Sequence, residues 1–188
     1  TMTTLKENLA GKIEAHRPRV TKLMKEHCDD VIDQVTVGKL IGGMRGLKCL
    51  VTDISYLDPE EGIRYRGLTL PEVFEQLPKP PDGEMPYVEG LFYLLLTGDI
   101  PNKEEMDELL DEFQKRRILP RYVYEVIDGF PSQSHPMTIF SSAILSLHRE
   151  SFFDKKYMAG ISKMEYWDPT YEDAMNLIAK LPEIAAHI

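Results

Sequence analysis

The chain has 188 residues, a formal net charge of −9 and a pI near 5.1. Hydrophobic residues make up 43% and charged residues 28%, a globular mix long enough to bury a sizeable core in one domain or one and a half. The acidic balance argues against broad nucleic-acid binding, which needs a basic face. The longest strongly apolar run, Leu91 to Leu96, is far short of the ~20 residues that span a bilayer. Neither a nucleic-acid nor a membrane partner is therefore expected.

Taken in order, Leu5, Leu9, Ile13, Val20 and Met24 recur near helical spacing, which predicts one or two amphipathic helices over 4–28. Pro18 is expected to kink or restart this element. The pattern then changes. The segments "CLVTDISYLD" and "GIRYRG" flank the turn sequence "DPEEG", and predict a small β-hairpin over 49–57 and 62–66. Thr69 and Glu72 form a capping-box pattern with Pro71 in the first turn, opening a helix over 70–77. A Pro-rich loop follows. Residues 87–97 read as a buried helix ended by Gly98.

Asn102 and Glu105 cap a helix over 103–117, with Met106, Leu109, Leu110 and Phe113 inward. Pro120 opens another helix, through about Asp128, and Gly129 stops it. Ser134 or His135 precedes a helix over 136–149 carrying Ile139, Ala143, Ile144 and Leu147. Asp168 and Pro169 read as N-cap and first residue of the last helix. That helix keeps an apolar face to Ile188, with Pro182 as a candidate kink. The chain is thus expected to stop inside a structural element. The fold class is all-α, multi-helical, with a minor β-hairpin near residues 49–66.

Chemistry is sparse by motif. Cys28 and Cys49 have neither redox nor zinc spacing and suggest a reducing compartment. The five histidines form no metal-type pair, and no metal site is expected. The carboxylates from Glu104 to Glu112 read as a solvated helix face. There is no GxSxG, Walker A, GxGxxG or HExxH.

The segment "KLIGGMRGLK", residues 39–48, is the best local candidate. Amides freed by glycine can face a phosphate, and Arg45 can fork onto its oxygens. The same residues also suit a tight turn with Arg45 on the surface. A second cluster places Lys155, Lys156 and Lys163 among Phe152, Phe153, Tyr157, Tyr166 and Trp167. That interleaving suits adenine plus phosphates, or an ordinary amphipathic surface.

Four blocks carry a family resemblance: "GGMRGLKCLVTDISYLDPEEGIRYRG", "EGLFYLLLTGDIP", "FPSQSHPM" and "YWDPTYEDAMNLIAKLP". In this order and spacing they resemble citrate synthase of the eukaryotic, mitochondrial type, from about residue 4 to the end. The resemblance implies an almost wholly α-helical homodimer, each subunit with a large and a small domain. It implies condensation of acetyl-CoA with oxaloacetate and water to citrate and CoA in the tricarboxylic acid cycle, in the mitochondrial matrix. CoA enters as part of a substrate, with no permanently bound cofactor.

The family's catalytic Asp and two His fall in its C-terminal part. Their signature, in which DPR follows the second His, has no match among Asp58-Pro59 and Asp168-Pro169. The chain therefore resembles, over 1–188, the N-terminal portion of the large domain. No catalytic residue is assigned, and the 188 residues alone are expected to be inactive while supplying scaffold, dimer contacts and part of the CoA site. Two CoA contacts carry over: Arg45 of GGMRG, and Lys163, where animal enzymes have Arg. Lys163 keeps the charge but loses the bidentate fork. 2-Methylcitrate synthase and a non-catalytic helical interaction module of the same fold remain as alternatives.

Overall fold

The computed structural model describes residues 4–48 and 50–188. Cys49, where the hairpin was expected to begin, lies outside the described residues. The described chain is mostly helical and forms two compact units, one up to Met106 and one over Asp107–Ile188.

Helix α1 spans Leu5–His27 and opens with a capping box. The Thr4 hydroxyl accepts from the Glu7 amide at 3.2 Å, and the Glu7 carboxylate accepts from the Thr4 amide at 3.0 Å. Pro18 does not restart the helix, which runs through it. The carbonyl deprived of a donor belongs to Glu14, an exposed residue whose backbone water can reach. The expected apolar stripe is also only partly used: Leu5 is buried, but Val20 and Met24 are exposed. α1 is held to the unit by polar clips near its start. Asn8 donates to the Tyr93 hydroxyl at 2.9 Å, and Lys12 pairs with Asp99 at 2.8 Å.

A short helix α2, Val37–Ile41, precedes the glycine-rich segment. Strands β1 (Ser55–Asp58) and β2 (Gly62–Tyr65) form the antiparallel hairpin, pairing Ser55 with Tyr65 and Asp58 with Gly62. The first strand is shorter than expected. Asp58 fixes the turn, accepting from the Glu60 and Glu61 amides at 2.8 and 2.9 Å.

A third strand, β3 (Leu68–Thr69), was not anticipated. Its two-residue connection, Arg66-Gly67, has φ of 49° and 87°, the primed turn that matches strand twist. Such turns favour Asn-Gly; arginine gives no sequence cue. Here the Arg66 guanidinium donates to Leu95 O at 2.6 and 3.0 Å and to Leu96 O at 3.2 Å. It thereby satisfies carbonyls at the end of helix α4 (Val88–Thr97), where a cation also suits the helix dipole.

Helix α3 (Leu70–Gln76) has the expected Thr69–Glu72 capping box, and α4 ends at Gly98 with φ 82°. Val73, Leu77 and Leu94 form the core of this unit, packed by Tyr65, Leu68, Leu91 and Ile100. Gly90 admits the Met106 sulfur to 3.5 Å of where a Cβ would stand.

Helix α5 (Lys103–Arg116) buries Met106, Leu109 and Phe113 as its pattern predicts, with Leu110 half-buried. In the second unit, α6 (Arg121–Asp128) and α7 (Pro136–Ser146) pack with α9 (Trp167–His187) around Val123, Ile127, Ala143, Leu147 and Ile184. His135 is the N-cap of α7, its Nδ1 accepting from the Met137 amide at 3.2 Å. α7 stops earlier than expected and tightens into a 3₁₀ turn, Leu147–Glu150.

Helix α8 (Phe152–Met158) follows, and a second 3₁₀ turn, Lys163–Glu165, leads into α9. Asp168 is therefore not the N-cap but a first-turn residue. The Ser162–Glu165 capping box starts the turn from which the helix continues through Tyr166. Pro169 is tolerated because first-turn amides have no intrahelical partner.

Candidate functional site

The segment from Lys39 to Lys48 is built as a helix ending. With Gly42 as C-cap, the Gly43 amide donates to Leu40 O at 3.4 Å and the Met44 amide to Lys39 O at 2.6 Å. This is the paired bonding of a Schellman ending, which requires a left-handed residue just past the cap. Gly43 takes that place with φ 74°. Met44 and Gly46 also have positive φ, 62° and 72°, so the chain reverses within four residues.

The bonding decides which groups are free. The amides of Gly42, Gly43 and Met44 are all committed to α2 carbonyls. Among the described residues, those of Arg45 and Gly46 make no hydrogen bond within the chain. The glycines thus shape the turn and do not offer a row of amides.

The three cations differ in the same way. Lys39 Nζ is held by Asp33 Oδ1 at 2.6 Å and Gln34 O at 2.9 Å. Lys48 has its backbone amide on Asp33 Oδ2 at 3.2 Å, while its ammonium has no partner among the described residues. Arg45 is exposed and, among the described residues, its guanidinium has no hydrogen bond or ion pair. Asp33 lies outside the glycine motif, and its spacing to Lys39 matches no helical pairing, so sequence reading missed it. Hydrogen bonding to Lys39, then to the Gln34 and Lys48 amides, lowers its pKa to about 2.

Lys163 opens the second 3₁₀ turn and is exposed, and no side-chain partner for it exists among the described residues. Arg45 and Lys163 lie in different compact units.

The aromatic residues near Lys163 use their faces on one another. Phe153 stacks on Tyr157 with centroids 5.9 Å apart and meets Tyr166 edge-on at 5.3 Å. Lys155 Nζ stands 5.7 Å from the Phe152 centroid. This cluster is a packed surface with cations at its margin, and it holds no open slot between Phe153 and Tyr157 for a base.

Among the described residues no group of His, Cys, Asp and Glu is placed to hold a metal ion, and no helix is long and apolar enough to cross a membrane. Cys28 is an exposed free thiol.

Comparison with known proteins places this geometry. Residues 43–188 match the family model described as the citrate synthase C-terminal domain. The chain belongs to the citrate synthase family. It is 51% identical to the mitochondrial citrate synthase of Emericella nidulans, over 98% of this chain and 39% of that protein. It is 48% identical to that of Xiphias gladius, over 99% of this chain and 40% of the relative. The fold is similar to the crystal structure of citrate synthase from Pyrobaculum aerophilum, with a TM-score of 0.65 and 25% identity. That match covers 85% of this chain and 40% of the other. The chain thus spans about 39–40% of the length of the curated relatives it matches.

Proposed function

We propose that this chain is part of a mitochondrial citrate synthase, which joins acetyl-CoA to oxaloacetate and, with water, releases citrate and CoA. The identity of about half its residues to mitochondrial enzymes over nearly its whole length carries this reading. The order of the GGMRG, EGLFYLLLTGDIP and YWDPTYEDAMNLIAKLP blocks supports reading the chain as the N-terminal portion of the large domain. This placement rests on block order and not on the matched model, whose description names a C-terminal domain.

Within that reading the segment supplies scaffold, contacts in a homodimer and one end of the CoA site. The proton abstraction from the acetyl methyl group and the polarisation of the oxaloacetate carbonyl belong to residues outside these 188, so the segment alone is inactive.

Arg45 is the group best suited to a CoA phosphate. Its guanidinium is uncommitted and stands on a turn anchored by the Gly42, Gly43 and Met44 amides, so binding need not break a protein contact. Lys163 is a second phosphate contact, weaker because an ammonium lacks the bidentate fork.

The test is kinetic. In the enzyme of full family length, Arg45→Ala should raise KM for acetyl-CoA about 10- to 100-fold, from a charge-assisted bond worth roughly 1.5–3 kcal/mol. KM for oxaloacetate should stay within about twofold. Equal rises in both would show a folding role instead. Lys163→Ala should act in the same direction and by less.

A further inference from the structure

The Arg45 loop has no regular structure on its far side: residues 47–48 and 50–54 form neither helix nor strand. Its near side is locked by the α2 ending. Its last residues are held toward β2, where the Arg66 amide donates to Ile54 O at 2.8 Å and the Arg66 guanidinium pairs with Asp53 at 3.3 Å. What ties it back to the segment before the loop is one carboxylate. Asp33 Oδ1 accepts from Lys39 Nζ at 2.6 Å, at the start of the loop segment, and Asp33 Oδ2 accepts from the Lys48 amide at 3.2 Å, at its end. Among the described residues, no other hydrogen bond or ion pair joins 47–54 to the segment 28–41.

We propose that Asp33 is a positioning residue for the acyl-CoA site, closing the Arg45 loop by binding both of its ends with a single carboxylate. This rests on the reading of Arg45 as a CoA-phosphate contact. Two physical effects follow. Tying Lys48 back to Asp33 removes conformational freedom from the loop before ligand arrives, so less is lost on binding. Pairing Asp33 with Lys39 also cancels a negative charge beside a phosphate site, and leaves Arg45 as the loop's uncommitted fork. Asp33 acts through the loop and not by touching substrate.

The experiment uses the enzyme of full family length, with KM for acetyl-CoA and for oxaloacetate measured separately. Asp33→Ala should raise KM for acetyl-CoA roughly three- to tenfold through loss of loop order, and leave oxaloacetate within about twofold. Asp33→Asn keeps an acceptor for the Lys48 amide and should fall between wild type and Asp33→Ala. Lys39→Met leaves the carboxylate uncompensated and should also raise KM for acetyl-CoA; it serves as the second variant if Asp33→Ala folds poorly. The Asp33→Ala/Arg45→Ala double variant should be no worse than Arg45→Ala alone, because residues acting through one another are not additive.

Full additivity, or unchanged KM values in both Asp33→Ala and Lys39→Met, would overturn the positioning role while Arg45→Ala still weakens acetyl-CoA. If Arg45→Ala itself leaves acetyl-CoA unaffected, the CoA reading fails and this proposal falls with it.

Discussion

Around Arg45 the chain leaves its large apolar side chains in water, whereas around Val123 it hides them. Ile41, Leu50 and Val51 are 84%, 80% and 88% exposed, while Val123, Ala143 and Ile184 are at 0%. The polar groups differ too. In the first region bonds run mostly within a few residues of one another, and the longer ties, from Asp33 to the Lys48 amide and from Arg66 to Asp53 and Ile54, are few among the described residues. In the second, long-range ties are common. Arg116 donates to Glu172 at 2.7 Å and Asn176 at 3.1 Å. Asp173 accepts from the Ser151 hydroxyl and the Phe152 amide, both at 2.6 Å, and from the Phe153 amide at 3.0 Å, so that α9 caps the start of α8. One region is arranged to hold itself together; the other presents groups outward. Substitutions in the two should therefore move different observables.

The largest contrast should come from truncating matched isoleucines. Ile184→Ala should cost about 2–5 kcal/mol, because it removes fully buried methylenes and leaves a cavity. Ile41→Ala should cost no more than about 0.5 kcal/mol. Urea midpoints of both variants check this, and equal losses would show that the exposed surface around Ile41 is covered by something that stabilises the fold.

A smaller effect is expected at the cap that α9 lends to α8. Asp173→Ala should cost about 1–2 kcal/mol, in the range of lost N-caps, and should speed amide exchange at Phe152 and Phe153 before it affects α6. Uniform acceleration across the unit would mean that α8 does not open separately.

In the loop the signs should be opposed at adjacent residues. Gly43→Ala places a Cβ at φ 74° with no steric neighbour within 4 Å, so its cost of about 1–2 kcal/mol is purely backbone strain. Met44→Gly removes the same kind of strain at φ 62° and should be neutral or slightly stabilising, offset by glycine's greater freedom when unfolded.

The smallest effect is in pH. Asp33 has its pKa lowered to about 2, below the ~3.9 of an unfolded chain. Its contribution is therefore fully present above pH ~4 and is lost as pH falls toward about 2. Carboxyl chemical shifts should show Asp33 titrating near that value, and moving upward in Lys39→Met.

Much of the helical architecture was legible because it depends on near neighbours. Thr69 with Glu72, Asn102 with Glu105, and Gly98 after α4 are cap pairs spaced by a single turn, so sequence alone locates them. The start of α9 was misplaced because Asp168-Pro169 is also a plausible cap pair, and the choice fell to Ser162 and Glu165 further upstream. β3 was missed because its turn uses Arg66, whose positive φ is stabilised by carbonyls 29 and 30 residues away.

The candidate site divides in the same way. Sequence alone determined that Arg45 sits among glycines that must reverse the chain, since left-handed backbone is a property of single residues. Only the tertiary structure decided that the Gly42 and Gly43 amides are already spent on α2, that Lys39 is bound to Asp33, and that the Arg45 guanidinium remains free. Which charge is available depends on what the others have paired with, and pairing is a matter of distance in space, which spacing along the chain does not fix.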